Sequence, residues 1–518
     1  MEEGIGEECG VVAVYLKKRV LDQGDPGLIT VPYISVSMLD RLQHRGQKSA
    51  GICSYNPRTG EERFHRRTIT PHKDVGMVQE VFRVSHKPEY ESIMQRLKGV
   101  CAIGHNRYST SGGDRDNYFS ARDETQPFLR EHSRSWKRFA LAFNGNIANS
   151  QELREEMESD GGIFETEVDT EVIRNILATE IKIHSEKISK EKSMKPDTFE
   201  VYKSIMQKLD GSYNIVSFFG DGDLVVARDP HGFRPLVYGE NKDYHFIASE
   251  SRAFDNLKVK SFRDVQPGEV LVINQKGMHS KQVLKPERRF CHFEYIYFSN
   301  GSSKVEGQYV QEVRDRLGLE LALIEPLQGK LDSNYMVVPA PKTAIPAAES
   351  FAKKLNLEFK LAIEKDGKRG FINGPLERKL VISSGYTFHH SLQGRRVIIV
   401  DDSLVRGDTI TELIRGCRAA GVTEVHVRIT NPPLRHPCPY GIDFPTSEEL
   451  IANKYIKNGE DIAKLERDLA RHIGADSLKY QTLEGLIRAV GISQSESCIA
   501  CLNGDYPTPC GKKLAESQ

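Results

Sequence analysis

Two mixed α and β units in series, the second built on a parallel sheet, are the architecture this sequence predicts. Three observations carry the prediction. At 518 residues the chain is too long for one core, since domains run to ~100–200 residues and β-rich ones to ~250. The first half reads as short β-rich runs with a few helices. From about Phe293 onward strand and helix alternate, the pattern of a parallel α/β sheet. Lys+Arg and Asp+Glu both number 72, which argues against a nucleic-acid partner held by a basic surface. No apolar run approaches the ~20 residues of a membrane span. Residues 1–8 are acidic, with no basic start and no apolar core. They do not form a secretion signal, and the expected location is cytoplasmic.

Along the chain, residues 11–16 and 224–227 are short β-rich runs, and 169–184 and 201–209 carry apolar side chains at helical spacing. Strands resume at 244–249 and 269–274, the latter after the turn signal Pro267-Gly268. Charged and polar residues interrupt the pattern between about 275 and 289, which places a boundary there. Then 308–324 reads as a helix, 335–338 as a strand, and a helix follows from about Ala347. Residues 396–400 form a buried type of strand, 409–420 a helix and 424–429 a strand. The charged stretch 182–195 reads as a solvated helix face or loop.

The stretch Arg396-Val-Ile-Ile-Val-Asp-Asp-Ser-Leu-Val-Arg-Gly-Asp-Thr-Ile410 is the most specific in the sequence. A buried strand ends in two carboxylates, at the edge where open α/β sheets bind ligands. A short loop and a helix N-terminus follow, and their N–H groups suit a phosphate. Adjacent Asp side chains suit ribose hydroxyls or Mg²⁺. The bland alternative is an ordinary strand-to-helix turn capped by Asp402 or Ser403. The whole stretch resembles the phosphoribosyl-pyrophosphate (PRPP) motif of type I phosphoribosyltransferases, and in detail that of the glutamine PRPP amidotransferase family. Val338-Pro-Ala-Pro-Lys-Thr-Ala344 resembles that family's pyrophosphate loop. The resemblance implies PRPP contacts from Lys342, Asp401, Asp402, Ser403, Val405, Arg406, Gly407, Asp408 and Thr409, with Mg²⁺ held by Thr343, Asp401 and Asp402.

Gly6-Glu-Glu-Cys-Gly-Val-Val12 resembles the same family's N-terminus before a leader is removed. Cleavage would make Cys9 the first residue. Its free α-amino group, with a pKa of ~7.7–8.0, would then serve as base for its own thiol. Leu42-Gln-His-Arg-Gly-Gln47, Gly104-His-Asn-Arg-Tyr-Ser-Thr110, Phe143-Asn-Gly-Asn146 and Val168-Asp-Thr-Glu171 resemble the family's glutaminase motifs, in its order. Each alone is turn chemistry. By resemblance, Arg107 pairs with the glutamine carboxylate and Asp169 with its ammonium, while Arg45 and Thr110 support the pocket. Asn144 and Gly145 stabilise the oxyanion. The segment Arg228-Asp-Pro-His-Gly-Phe-Arg-Pro235 also matches and reads as architectural.

The nine cysteines are spread along the chain in odd number, which does not suggest a disulfide scaffold. Cys498-Ile-Ala-Cys501 has metal-ligand spacing, open to a redox pair or half a zinc site. Cys291 and Cys438 sit where the family's cluster-bearing branch places its other ligands. The resemblance thus implies a [4Fe–4S] centre on Cys291, Cys438, Cys498 and Cys501, with zinc as the rival. It further implies an α+β N-terminal nucleophile domain, an αββα sandwich, followed by an α/β type I phosphoribosyltransferase domain. The expected divisions are a leader at 1–8, the glutaminase at 9–280, the phosphoribosyltransferase at 281–475 and a ligand-bearing tail at 476–518. The implied reaction joins glutamine and PRPP to give 5-phosphoribosylamine for purine synthesis, in a homotetramer inhibited by purine nucleotides. The rivals are an amidotransferase acting on another sugar phosphate and a silent regulatory homologue. Residues 364–373 depart from the family's Arg-rich closing loop, being shorter. Among residues 377–390 only Lys379 is retained, and Lys48 and Lys342 replace acidic residues.

Overall fold

The computed structural model describes residues 9–17, 25–57, 68–107, 118–188, 194–365, 385–442, 446–456 and 461–517, the side chains of 118–120 excepted. Thirteen strands of the first half are β1 (Gly10–Leu16), β2 (Ser49–Tyr55), β3 (Ile69–Val75), β4 (Cys101–Arg107), β5 (Phe128–Arg130), β6 (Phe139–Ile147), β7 (Gly211–Phe219), β8 (Leu224–Arg228), β9 (Val237–Glu240), β10 (Tyr244–Ala248), β11 (Ser261–Asp264), β12 (Glu269–Asn274) and β13 (Gly277–Gln282). They form two antiparallel sheets, ordered β11-β9-β10-β1-β4-β2-β3 and β13-β12-β8-β7-β6-β5. The period of two along β1 sorts its side chains. Val11, Ala13 and Tyr15 meet Ala140, Ala142, Val216 and Phe218 of the second sheet. Val12, Val14 and Leu16 pack outward with Leu39 of the helix Pro26–Arg41. With both faces covered, β1 is apolar throughout instead of alternating. The outer face of the second sheet is covered by the helices Asp169–Ile188 and Thr198–Lys208. The layers therefore run helix, sheet, sheet, helix.

The second half contributes β14 (Phe290–Cys291), β15 (Lys304–Val305), β16 (Gln308–Tyr309), β17 (Tyr335–Pro339), β18 (Glu358–Phe359), β19 (Ile363–Lys365), β20 (Tyr386–Phe388), β21 (Arg396–Asp401), β22 (Glu424–Ile429), β23 (Ser477–Tyr480) and β24 (Ser497–Cys498). Five form a wholly parallel sheet, β18-β17-β21-β22-β23. Its helices lie on both faces: Val310–Leu323 and Ile345–Leu355 on one, Asp408–Ala419 and Ile462–Ile473 on the other. The first of these begins at Val310 and not at Gln308, because β16 closes a hairpin with β15. This sheet extends past residue 475, since β23 is its edge strand. The chain's end returns to the junction of the halves, where β24 pairs with β14 and sets Cys498 opposite Cys291.

Candidate active sites

The first site lies at the end of the sandwich where Cys9 precedes β1. Gly10 pairs with Asn106 in β4, which brings Cys9 to the end of the strand that carries Arg107. Arg45 Nε donates to the Cys9 carbonyl at 3.2 Å. Its two other nitrogens are sealed by carboxylates: Nη1 to Glu250 at 2.7 Å, and Nη2 to Glu294 at 2.8 Å. All three of these side chains are fully buried. Burial opposes the charge of Glu250, yet His44, Arg45 and the Ser303 hydroxyl outweigh it and hold the carboxyl well below its ordinary range.

Asn144 and Gly145 sit near the end of β6. Asn144 Nδ2 donates to Ser249 Oγ at 3.3 Å, and that oxygen also accepts from Val11 N at 3.0 Å. The oxyanion candidate is thereby tied to the strand that Cys9 begins. Gly145 has φ +150°, and a Cβ there would stand 1.9 Å from Ser212 O, so no other residue fits. Asp169 opens its helix and accepts from Ile147 N at 3.3 Å. Burial pushes its carboxyl up to about 6, while backbone donors and the nearby Arg107 charge pull the other way. Arg107 Nη2 is held by Glu124 at 2.6 Å, both side chains almost wholly enclosed. The structure thus gathers Cys9, Arg45, Arg107, Asn144, Gly145 and Asp169 at one end of the sandwich. Thr110 and the leader 1–8 lie outside the described residues.

The second site is a cavity of about 170 Å³ at the C-terminal ends of β17 and β21. Asp401, Asp402 and the loop 403–409 line it, with Thr343, Ala340 and Pro341 opposite. Thr343 Oγ1 donates to Asp402 Oδ2, and Ser403 Oγ donates to Asp402 Oδ1 at 2.7 Å. Burial raises both Asp carboxyls, and the neighbouring Asp402 raises Asp401 further. Two enclosed carboxyls beside a threonine hydroxyl form a donor set of hard oxygens, which fits Mg²⁺. Gly407 takes φ +91° at the helix start, and a Cβ would meet Ile451 Cδ1 at 2.6 Å. Arg406 faces the cavity while paired with Glu449 at 3.2 Å. Lys342 is exposed and does not line the cavity, whereas Lys365 and Tyr297 do. Neither is among the contacts the motifs imply, although Lys365 stands in the basic stretch 364–373. Residues 366–373 and Lys379 lie outside the described residues.

Cys291, Cys438, Cys498 and Cys501 converge at the junction. Burial raises all four thiols. Cys291, Cys501 and Cys438 pack in one cluster, Cys438 also packs with Cys498, and Cys291 stands opposite Cys498 in the strand pair. Arg234 lowers Cys291, Cys438 and Cys498 in part. His292 reaches the Cys498 carbonyl at 2.9 Å and so ties the two strands of the site together. All four are free thiols. Among the described residues no three metal-binding side chains stand in ready coordination geometry. Four converging sulfurs fit a soft metal centre in donor chemistry.

Comparison with known proteins sets the class first. Residues 105–256 match the sequence model of a glutamine amidotransferase domain. Over nearly the whole length, the chain is 35% identical to the amidophosphoribosyltransferase of Methanothermobacter thermautotrophicus, covering 99% of this chain and 98% of that protein. It is 34% identical to the Bacillus subtilis protein of the same name, covering 98% and 95%. A solved structure titled glutamine PRPP amidotransferase from B. subtilis, complexed with ADP and GMP, superposes with a TM-score of 0.77 at 32% identity, covering 97% of this chain and 98% of that one. The chain belongs to the amidophosphoribosyltransferase family. Its architecture is that of a glutamine amidotransferase sandwich followed by a phosphoribosyltransferase sheet.

Proposed function

We propose that this enzyme converts glutamine, PRPP and water into 5-phosphoribosylamine, pyrophosphate and glutamate, opening purine synthesis. The observation that carries the reading is the full-length kinship: one chain holds both halves that the reaction needs. Removal of residues 1–8 frees the Cys9 amine, which takes the thiol proton. The sulfur attacks the glutamine amide carbon, and Asn144 and the Gly145 N–H receive the oxyanion. The Cys9 ammonium returns its proton to the amide nitrogen, collapse expels ammonia and leaves a thioester, and water cleaves that to glutamate and the free thiol. Arg107 orients the substrate carboxylate and Asp169 its ammonium, with Arg45 fixing the Cys9 backbone. The ammonia then displaces pyrophosphate at the sugar C1. Loop 403–409 receives the 5-phosphate, and Lys365 faces the same cavity. Asp401, Asp402 and Thr343 would hold Mg²⁺, which supplies positive charge to the departing pyrophosphate.

The four cysteines would hold a [4Fe–4S] cluster, a structural centre that leaves the chemistry to Cys9, or zinc in its place. The cited B. subtilis complex with ADP and GMP supports inhibition by purine nucleotides. A cytoplasmic homotetramer is part of the same reading. The proposed divisions are a leader at 1–8, a glutaminase domain from 9, a phosphoribosyltransferase domain after it and a ligand-bearing tail, with the two boundaries moved from 280 and 475 so that β13 is kept whole to Gln282 and β23 to Tyr480. Cys9→Ser tests the function. Glutamine-dependent synthesis should vanish, while synthesis from free ammonia and PRPP continues at close to the wild-type rate. Loss of both activities in a folded variant, or survival of glutamine use, would refute the assignment.

A further inference from the structure

The loop that carries Cys438 touches the strand that carries the oxyanion donors. Asn146 Nδ2 donates to Pro439 O at 2.8 Å, across 293 residues of sequence. Two residues further, Gly441 takes φ +100°. A Cβ there would stand 3.2 Å from Asn146 Cβ and 3.6 Å from the Gly145 carbonyl carbon. The same loop is gripped from behind. Arg234, only 2% exposed, donates to Tyr440 O at 2.8 Å. The Tyr440 ring stacks on Phe233 with centroids 4.3 Å apart, and Phe233 O accepts from Cys291 N at 3.1 Å. Arg234 also faces Glu294 at 3.6 Å, and Glu294 binds Arg45, whose Nε holds the Cys9 carbonyl. The four-thiol group therefore reaches the first site by two routes, one of them direct.

Asn146 lies two residues beyond Asn144 on β6 and one beyond Gly145, a residue short of the strand's end at Ile147. Its side-chain amide bonds outside its own sandwich, while its backbone stays in the strand opposite Ser212. The Gly145 N–H is useful only if aimed at the developing oxyanion, and a backbone error near 1 Å costs about 10²-fold. We propose that Asn146 is a positioning residue. Its bond to Pro439 O seats the Gly145 end of β6 on the Cys438 loop, so the loop that presents one thiol also aims the oxyanion donors. The proposal rests on the glutaminase reading of Cys9. It assigns the thiol group a contact through which its condition reaches that site.

The test uses the full-length protein and a diazoketone analogue of glutamine. The diazo carbon takes the Cys9 thiol proton, the sulfur then displaces N₂ from it to form a C–S bond, and the adduct is read by intact mass. Synthesis from ammonia and PRPP reports that each variant is folded. Asn146→Ala should slow alkylation about tenfold with that synthesis unchanged. Cys438→Ser should slow it similarly. The double variant should be no slower than either single one, because both break one link. Where Cys438→Ser fails the folding control, Gly441→Ala replaces it, its added Cβ pressing on Asn146. Wild-type alkylation in Asn146→Ala, or a double variant slowed by the product of the two effects, overturns the link. Absence of any Cys9 adduct in the wild type overturns the glutaminase reading itself, and is recognised as such without the variants.

Discussion

Replacing Arg45 by Met removes one guanidinium from two carboxylates that have no water to turn to. Glu250 and Glu294 are both fully enclosed in the wild type. Glu250 keeps His44 at 2.8 Å, Asn300 N at 2.9 Å and Ser303 Oγ at 2.5 Å. Glu294 keeps the Ser299 hydroxyl at 2.5 Å and a looser approach to Arg234 at 3.6 Å. Deleting one partner of a buried ion pair costs about 3–5 kcal/mol, because the other charge stays buried. The surviving bonds to Glu250 put the expectation near the lower figure, about 3 kcal/mol at pH 7. The chain offers a convenient reporter, since its single tryptophan, Trp136, packs against the helices of the sandwich. Guanidinium unfolding followed by its fluorescence reads the first half alone, which avoids treating two domains as one transition. The pH dependence fixes the cause. In the wild type Glu250 is held below its unfolded value, so its pairing stabilises above about pH 4.3 and is lost as pH falls. In Arg45→Met burial acts on Glu250 with less opposition and the stabilisation shrinks. The gap between the two proteins should thus be full at neutral pH and narrow only as pH falls below about 4.3. A variant within about 1 kcal/mol of wild type at pH 7, or a gap that grows on acidification, would refute the reasoning.

Three further perturbations test the other groups. Asp169 must be ionised to hold an ammonium, and burial pushes its carboxyl up to about 6. Glutamine kcat/KM should fall as pH drops below 6, by about tenfold per unit, while ammonia-dependent synthesis keeps its own profile. A flat glutamine profile down to pH 5 would remove Asp169 from substrate binding. The same raised carboxyl makes the fold lose stability as pH rises through 6, so Asp169→Asn should be the more stable protein at pH 7 by thermal melting. Gly407→Ala forces a side chain into the left-handed region, a cost of about 1–2 kcal/mol, and presses on Ile451. Ammonia-dependent synthesis should show a raised KM for PRPP with glutamine hydrolysis at Cys9 intact. An unchanged KM would detach this turn from phosphate binding.

What the sequence made legible follows from how local each feature is. The phosphate cavity is one strand, one loop and one helix start in unbroken succession, so residues 396–410 spell it directly. The helix Ile345–Leu355 begins two residues earlier than expected, with Pro346 in its first turn, where a missing N–H costs nothing. The first site is assembled from segments between Cys9 and Asp169, and no periodicity connects them; only the order of the motifs did. Glu250 and Glu294 were illegible, because their partner Arg45 stands 205 and 249 residues away. A buried ion pair has no spacing rule. The motif places Lys342 in the phosphate site. The turn after β17 leaves it exposed, and the lysine that lines the cavity is Lys365 of β19. Cys498 and Cys501 announce themselves by spacing, but Cys291 joins them through a strand pairing that closes 207 residues of chain.

Charge, more than apolar contact, holds the two sites in register. A single π-helical turn, Glu294–Phe298, stands between them. Its first residue binds Arg45 beneath Cys9, and its fourth, Tyr297, lines the phosphate cavity. Arg314 fixes the turn from the second half, its Nε donating to Tyr295 O at 2.8 Å. Its Nη2 donates to Tyr297 O at 3.1 Å and Ser299 O at 2.8 Å. Burying such groups is costly, and apolar residues of similar volume often stabilise as well or better. What the guanidinium supplies is direction, since its planar fork accepts only one arrangement of acceptors. Sliding the turn by one residue would leave carbonyls and carboxylates buried without donors, at about 1–3 kcal/mol each. Apolar packing imposes no such penalty on a slip. The separation between the thiol that releases nitrogen and the pocket that receives it is thus set by five covalently joined residues clamped at both ends.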